Sequence, residues 1–543
     1  MKTKKHKQIL LTIVLITAVG AGVLLCAAAG AKESFTPLHP ESPGLQIGDE
    51  LQIKNSSLEK PRLLGWGVTG FTQIAALIHI SSTVSDGRYN LKDIASIAEK
   101  SGFRAVVFTD REVMRWQYGI RPLRNILKKT VENNSIARFG VQRYLDAVAQ
   151  LQNSYPDMVF LPGMESTPFY YWSGSVFKRN FTLHNAHKHM LIIGLDNAAD
   201  IKRLPITATP ASLYNPFSSK DAWRLWPLLV IGLGIFIIMR EHRPLSFRNS
   251  FERLAFYQKR RMGFACIIIG ALFFVNNIPF RSSRFDQYHG DKGTLPYQNF
   301  IDDVNAKGGM TFWAHPEIEN SSQSNHIKVI TKEHPEDFYN THDYTGFSIF
   351  YEGYRTIGVP GGLWDKVLRE YCMGKRVAAV WALGGLGFDY YGDLESRLAD
   401  LRNILLVTEV SRKGVLDALK NGRVYVLRGS DSSRFVLESF TLSAADKTGQ
   451  CTMGETLSAD NGVVMVEISG HFKDDNTRKN RNVSVRLIKN GEVVQTFKRE
   501  TPFVIKYFDN DTGGEGKAYY RVEITGSGLH AVSNPVFVMK NSY

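Results

Sequence analysis

The stretch from Leu91 to Phe108, LKDIASIAEKSGFRAVVF, contains one complete helix and strand unit. Its first part places apolar residues on one face of a helix, which Asn90 can cap and Gly102 can end. The apolar run from Ala105 to Phe108 then predicts a buried strand. A helix that leads directly into a buried strand is the repeating unit of an α/β fold.

The same order recurs along the chain. The predicted helices are Ile136–Ser154 and Tyr297–Ala306, and the predicted strands are Met158–Pro162, Met310–Ala314, Phe347–Phe350 and Val377–Leu383. Repeated units of this kind favour a parallel sheet or barrel with its function at the strand C-termini. Polar residues lie at or near those ends: Asp110, Glu165, His189, His315 and Glu352.

After about Gly429 the pattern changes to short alternating runs. They are Arg434–Leu442, Val463–Ser469, Val483–Lys489, Val493–Phe497, Val504–Phe508, Tyr519–Thr525 and Val536–Val538. Asn490-Gly491 is a strong hairpin turn. Seven short strands predict a β-sandwich of immunoglobulin type, in which the sequence indicates no chemistry.

The distribution of charge points to a membrane. The 543 residues carry 66 basic and 52 acidic side chains, a formal charge of +14. Nine of these charges lie in two short pieces, the Lys-rich start (Lys2 to Lys7) and Arg240–Arg261. Each piece adjoins an apolar segment, which is the positive-inside signature of membrane topology rather than a nucleic-acid footprint. Nucleic acid is therefore excluded as the expected partner.

Three apolar segments are candidates for the membrane. Ile9–Ala29 fits a signal peptide or an uncleaved anchor, and Cys26 lacks the small preceding residues of a lipoprotein site. Leu225–Met239 and Met262–Ile278 are short for a bilayer and could be buried core helices, but the basic loop between them favours a transmembrane hairpin. We expect an inner-membrane protein with periplasmic soluble domains.

Five motifs follow one another along the chain: His79-Ile-Ser-Ser-Thr-Val-Ser-Asp-Gly87, Val107-Phe-Thr-Asp110-Arg111, Leu161-Pro-Gly-Met-Glu165, His189-Met-Leu-Ile-Ile-Gly194 and Gly309-Met-Thr-Phe-Trp-Ala-His315-Pro316. In this order they resemble the motifs of the PHP (polymerase and histidinol phosphatase) family. Ala418–Tyr425 resembles a segment of secreted members with a C-terminal β-sandwich.

The resemblance implies a distorted (β/α)7 barrel whose mouth binds two or three divalent cations, commonly manganese, iron or zinc. It also implies hydrolysis of a phosphoester, since histidines and carboxylates suit these metals and a bound cation activates water. The ligands carried over are His79, Asp86, Glu165, His189 and His315. Asp110 would orient this set.

The chain departs from the family pattern at four expected ligands. Ser81 and Arg111 each replace a histidine, and Ala382–Gly387 contains neither member of the last Asp-x-His pair, for which Asp389 is a speculative substitute. Five ligands are enough for one cation but hardly for three cations. Arg111 would repel a second cation and could bind a phosphate or carboxylate. His184 and His187 are expected in solvated loop positions.

Two functions therefore stay open. One is a metal-dependent hydrolase of the phosphoesterase class with a reduced site, and the other is an inactive barrel that binds an anionic ligand or senses a partner. The predicted order is a leader or anchor (1–31), the first part of the barrel (32–224), the transmembrane hairpin (225–280), the second part of the barrel (281–428) and the sandwich (429–543). The sequence does not indicate the substrate or the oligomeric state.

Overall fold

The structure is a computed structural model of the chain. It describes residues 64–66 and 70–540, except 176–177, 179, 210–215, 241–249, 325–326, 351, 388–392, 445–448, 460–462, 474–480, 511–515 and 527. The predicted segment Ile9–Ala29, Asp389 and much of the basic loop lie outside these residues. The chain divides into two compact units. The first contains Arg115–Asn133 and Asn215–Ser282, and the second contains His39–Met114, Asn134–Tyr214 and Ser283–Tyr543.

The strands, in chain order, are β1 Leu64–Trp66, β2 Thr72–Ile80, β3 Ala105–Phe108, β4 Arg115–Gly119, β5 Lys128–Glu132, β6 Val159–Ser166, β7 Tyr171–Ser173, β8 Phe181–His184, β9 Met190–Ile193, β10 Met310–Trp313, β11 Asn320–Ser324, β12 Ile327–Thr331, β13 Gly346–Phe350, β14 Trp381–Gly384, β15 Leu401–Val407 and β16 Val424–Arg428. They continue with β17 Phe435–Ala444, β18 Thr456–Ser458, β19 Val464–Phe472, β20 Asn482–Lys489, β21 Glu492–Glu500, β22 Phe503–Asp509, β23 Gly516–Gly526, β24 Leu529–Ser533 and β25 Val536–Lys540.

The α-helices are α1 Leu91–Lys100, α2 Ile136–Phe139, α3 Val141–Ser154, α4 Ala198–Ile201, α5 Pro227–Arg240, α6 Ser250–Asn277, α7 Leu295–Ala306, α8 Pro335–Asn340, α9 Leu363–Cys372, α10 Leu394–Asp400 and α11 Arg412–Lys420. Helix α1 begins as predicted, because the side chain of Asn90 accepts a hydrogen bond from the backbone N–H of Asp93. The predicted helix Ile136–Ser154 is two helices, because Gly140 between them has a φ of 106°.

Seven strands of the second unit form a continuous run in the order β14-β13-β10-β9-β6-β3-β2. Neighbours in this run are parallel except at β9, which is antiparallel to both β6 and β10. The sheet is therefore mixed, whereas the repeated helix and strand units predicted parallel strands throughout. The predicted α/β class is confirmed.

The two ends of this run approach each other. After β14, the backbone N–H groups of Leu386 and Gly387 donate to the carbonyls of Ile78 and His79 in β2. The side chain of Asn403 in β15 also bonds the backbone of Gly384 in both directions. A barrel of the predicted (β/α)7 type stays a prediction, and these hydrogen bonds are in its favour.

The C-terminal strands continue the same unit. Strands β17, β19 and β22 form one antiparallel sheet, and β16-β24-β23-β20-β21 extend the large sheet beyond β15. All seven strands predicted after Gly429 are present, and β18 and β24 are additional. Asn490 and Gly491 both have positive φ at the turn between β20 and β21, as a tight hairpin requires. An immunoglobulin-like arrangement stays a prediction.

A buried ion pair joins β23 to α9. The guanidinium of Arg521 donates to both carboxylate oxygens of Asp365, at 2.9 and 2.6 Å, and neither side chain is exposed. The hydroxyl of Tyr519 donates to the same carboxylate at 2.8 Å. The C-terminal strands are thus bonded to a helix of the α/β part through a fully enclosed charge pair.

In the first unit, helices α5 and α6 pack as an antiparallel pair. Gly234 faces Gly263, and Gly270 faces Ile231, so closely that a Cβ at any of the three glycines would meet the opposite helix within 3 Å. Their outer faces carry exposed large apolar side chains, among them Leu229, Phe236, Met262, Ile268 and Val275. Of the described residues, one helical segment, Ser219–Arg240, has the length and hydropathy to cross a membrane, and only 11% of it is buried.

Candidate metal centre

Two adjacent strands place Arg111 beside Glu165. Strand β3 pairs in parallel with β6, and the pairing continues past the end of β3 as a bridge between these two residues. The backbone N–H of Glu112 then donates to the carbonyl of Glu165 at 2.9 Å. Both functional side chains therefore emerge at the carboxyl end of the sheet, as the strand pattern predicted.

The direction of β9 brings two histidines to the same end. Because β9 is antiparallel to β6 and β10, its first residues lie beside the last residues of both neighbours. His189 immediately precedes β9, and His315 follows β10 by two residues. The N–H of Ala314 donates to the carbonyl of His189 at 3.3 Å, and Nδ1 of His189 is 3.0 Å from Nε2 of His315.

His79 lies at an irregularity in β2. The register with β3 shifts between Ile78 and Ile80, and His79 itself has a φ of 66°, which is uncommon for a residue with a side chain. Such bulges redirect side chains next to functional sites. The redirected imidazole of His79 reaches Glu165, with Nε2 3.2 Å from Oε2.

Glu165 is the centre of the cluster. Its Oε1 lies 2.6 Å from Nδ1 of His189, 2.8 Å from a guanidinium nitrogen of Arg111 and 3.5 Å from Nε2 of His315. Burial raises the pKa of Glu165, but the charge of Arg111 and the nearby histidines outweigh this effect and hold it well below its usual range. Glu165 is consequently a carboxylate, 2% exposed, at neutral pH.

His189 is neutral and directs a lone pair at the same point. Burial lowers its pKa to about 4, although Glu165 opposes this effect. Its Nε2 is 3.1 Å from the carbonyl oxygen of Ala186, and since a carbonyl only accepts, Nε2 carries the proton. The lone pair of Nδ1 and the carboxylate of Glu165 then converge on Arg111, whose guanidinium nitrogen lies 2.8 Å from each.

Asp110 has a supporting role. It accepts hydrogen bonds from the backbone and hydroxyl of Ser82 and from the hydroxyl of Ser85, at 2.7 to 3.0 Å, and is fully buried. Burial raises its pKa to about 6. These bonds fix the turn that presents Asp86, whose Oδ2 pairs with Nε of Arg111 at 3.0 Å. Asp110 itself is directed at the serines, and Asp86 reaches the centre through Arg111.

The donor atoms fit one divalent cation. Glu165, His189 and His315 each offer one ligand atom, and these atoms lie within 4.8 Å of one another. Nδ1 of His315 is buried without a hydrogen bond among the described residues. Imidazole and carboxylate together suit zinc, manganese and iron. The guanidinium of Arg111 already brings one positive charge to Glu165, so the space beside it disfavours a second cation.

The sequence did not indicate three further residues near the cluster. A Cβ at Gly385 would lie 2.4 Å from Oγ of Ser348 and 2.9 Å from Nδ1 of His79, so the segment without the expected Asp-x-His pair lies against the site. Ser348 is a buried strand residue whose pattern is indistinguishable from core. Glu112 is buried beyond Arg111, and burial raises its pKa to about 7 although Ser166 donates to it.

Of the other two histidines, which were predicted in solvated loop positions, His184 lies in a strand, whereas His187 lies in a turn. His184 belongs to strand β8, where it stacks on Tyr171 with ring centroids 4.5 Å apart. His187 is half-buried, its backbone donates to Thr331, and its ring lies 5.8 Å from that of His189. Neither belongs to the group of three potential ligands.

No protein-family model and no curated protein matches the chain. One similar solved structure is a two-domain protein containing a predicted PHP-like metal-dependent phosphoesterase from Bacteroides vulgatus, at 11% identity and a TM-score of 0.34, covering 88% of this chain and 99% of that one. Another is a proposed metal-dependent phosphoesterase from Bifidobacterium adolescentis, at 12% identity and a TM-score of 0.23, covering 59% of this chain and 89% of that one. Scores this low leave the family open.

Proposed function

We propose that the chain is a membrane-anchored metal-dependent hydrolase of the phosphoesterase class that works with a single divalent cation. The observation that carries the proposal is the convergence of Glu165, His189 and His315 where β6 and β10 end and the antiparallel β9 begins. The five motifs that resemble the PHP family, in the same order, support the same chemistry.

The residues of the site have separate roles in this proposal. Glu165, His189 and His315 would hold the cation, which when bound supplies Lewis-acid polarisation of a phosphoryl oxygen and activates water. Arg111 would attract an anionic oxygen of the substrate, because its charge is permanent and its side chain is 13% exposed. Asp110 would hold the turn carrying Asp86, and Asp86 would keep the guanidinium in place.

The membrane part of the proposal is supported by the helix pair of the first unit. Exposed apolar side chains cover the outer faces of α5 and α6, as they do where lipid replaces water. The basic residues that the structure describes in this region lie at one end of the pair; they are Arg240, Arg253, Lys259, Arg260 and Arg261. Trp223 and Trp226 lie at the other end, as is typical of a membrane interface. This arrangement would hold the soluble part on the periplasmic side.

A second candidate function is favoured by Arg111. Its ion pairs with Asp86 and Glu165 place a fixed positive charge where the resemblance implies a histidine ligand. A site that is already neutralised could bind an anionic ligand without a metal and without turnover. This candidate predicts anion binding that is unaffected by chelators.

Activity assays separate the two candidates. The full chain, purified in detergent, is assayed with bis(p-nitrophenyl) phosphate and p-nitrophenyl phosphate in manganese or zinc. The hydrolase proposal predicts turnover that Glu165→Gln abolishes and that Glu370→Gln retains. Glu370 is a matched control, since it is also an ion-paired carboxylate, lying on helix α9 and bonded to Arg376. The proposal would be refuted if turnover survives in Glu165→Gln. It would also be refuted if the metal-loaded wild type shows no turnover.

A further inference from the structure

A third basic cluster lies in the first unit, in the segment Arg115–Asn133, called here the basic hairpin. It consists of β4, β5 and their connection, and carries five basic residues against one glutamate. Arg121, Lys128 and Lys129 are exposed. At the tip, Ile120 and Ile126 are 40% and 38% exposed, so apolar and basic side chains occur together on the surface.

Hydrogen bonds fix the tip of the basic hairpin to the end of α6. The backbone N–H of Asn125 donates to Oδ1 of Asn276 at 2.9 Å, and its side-chain amide donates to the carbonyl of Asn276 at 2.6 Å. Beside them, the amide of Asn277 donates to the carbonyl of Arg224 at 2.7 Å. This group of polar contacts marks the end of the helix pair opposite to Arg240 and to the basic residues Arg253 to Arg261.

We propose that the basic hairpin binds anionic phospholipid head groups of the leaflet that surrounds this end of α5 and α6. The inference rests on the membrane part of the proposed function. The hydrogen bonds to Asn276 place the tip where the apolar helix surface ends, which is the depth of the lipid phosphates. Ile120 and Ile126 would enter the interface while Arg121 and Lys128 meet the phosphates, a combination typical of interfacial segments.

The positive charge of the hairpin does not conflict with the predicted topology. Charges orient a membrane segment when they lie within about 15–20 residues of its ends. The basic hairpin precedes α5 by more than 90 residues and reaches the helix end only in the folded chain. It would therefore act on lipid after insertion and folding.

The test is hydrogen exchange of the full chain in nanodiscs of neutral phosphatidylcholine, with and without phosphatidylglycerol. We expect anionic lipid to slow exchange at the tip, around Ile126 and Leu127, by about fivefold or more, the effect of one basic residue near a charged surface. The effect should disappear at high salt. It should also disappear in the triple variant Arg121→Gln, Lys128→Gln, Lys129→Gln.

The matched control is the triple variant Lys498→Gln, Arg499→Gln, Lys506→Gln, which removes the same charge from exposed positions of β21 and β22. It should respond to anionic lipid like the wild type. If the amides of α5 and α6 are protected in nanodiscs but exchange at the tip does not depend on lipid charge, the lipid-binding inference is wrong and the membrane proposal stands. A chain that stays soluble and monodisperse without detergent or lipid would overturn the membrane proposal as well.

Discussion

Replacing Arg111 by glutamine should destabilise the protein in a way that a divalent cation repairs. Arg111 brings a positive charge to within 2.8 Å of Glu165, which is 2% exposed, and to within 3.0 Å of Asp86, which is 23% exposed. The pair with Asp86 is worth at most about 1 kcal/mol because water reaches it. The loss of the partner of Glu165 leaves a buried charge uncompensated, which costs about 3–5 kcal/mol.

A bound cation would take over the role of the guanidinium. At a hundred times its Kd a ligand stabilises the folded state by about 2.7 kcal/mol, so most of the lost stability should return in zinc or manganese. The assay is thermal unfolding of the detergent-solubilised chain, followed by circular dichroism, in chelator and in metal. We expect the Tm in chelator to fall by roughly 3–6 °C, because the unfolding entropy of a unit of about 400 residues is large. The wild type should gain less from metal, since Arg111 competes for Glu165.

Arg376→Gln is the matched control. Arg376 is 4% exposed, pairs with Glu370 at 2.7 Å and bonds the carbonyl of Thr341, so its removal should also destabilise the fold. It is not one of the potential metal ligands, and metal should leave its Tm unchanged. The reasoning fails if Arg111→Gln is as stable as wild type in chelator, or if metal restores both variants equally.

Three further predictions follow from other contacts. Asp365→Asn should cost about 3–5 kcal/mol in denaturant unfolding, because it leaves Arg521 charged and unpaired in the interior; an unchanged midpoint would contradict the role of this pair. Burial raises the pKa of Glu523, but the hydrogen bonds from His530 and Tyr354 outweigh this effect and lower the pKa. The Glu523 carboxylate therefore stabilises the fold above its unfolded pKa, and this stabilisation is lost as pH falls through its folded pKa. Glu523→Gln should make the free energy of unfolding less dependent on pH in this acid range. Gly385→Ala should cost about 1–3 kcal/mol and weaken metal binding measured by calorimetry, since the methyl group would overlap Ser348 and His79; Gly449→Ala, where a Cβ has open space, should change neither.

Local sequence signals determined much of the fold. Strand β3 spans the residues predicted for it, because an N-cap, a helix-ending glycine and an apolar run all mark its surroundings. The antiparallel direction of β9 could not be predicted, since direction depends on the path of the chain through β7 and β8 and not on the apolar pattern of β9. The β4–β5 hairpin was missed because its strands are short and polar, without an alternating apolar face.

The candidate site could be predicted in part of its membership but not in its geometry. Of the five ligands that the motifs imply, the structure groups Glu165, His189 and His315, and places His79 against Glu165. The pattern alone does not show that Arg111 pairs with both Asp86 and Glu165, because this depends on strand register and on the turn held by Asp110. The same tertiary contacts separate Asp86 from the three potential ligands.

The central claim is that this chain holds one divalent cation between Glu165, His189 and His315. The most direct measurement is the metal content by elemental analysis of full-length protein, purified without chelator and then equilibrated with zinc or manganese. We predict about one equivalent per chain in the wild type and in Glu370→Gln, and strongly reduced metal in Glu165→Gln and His315→Ala. No retained metal in the wild type, or an unchanged content in Glu165→Gln, would contradict the claim.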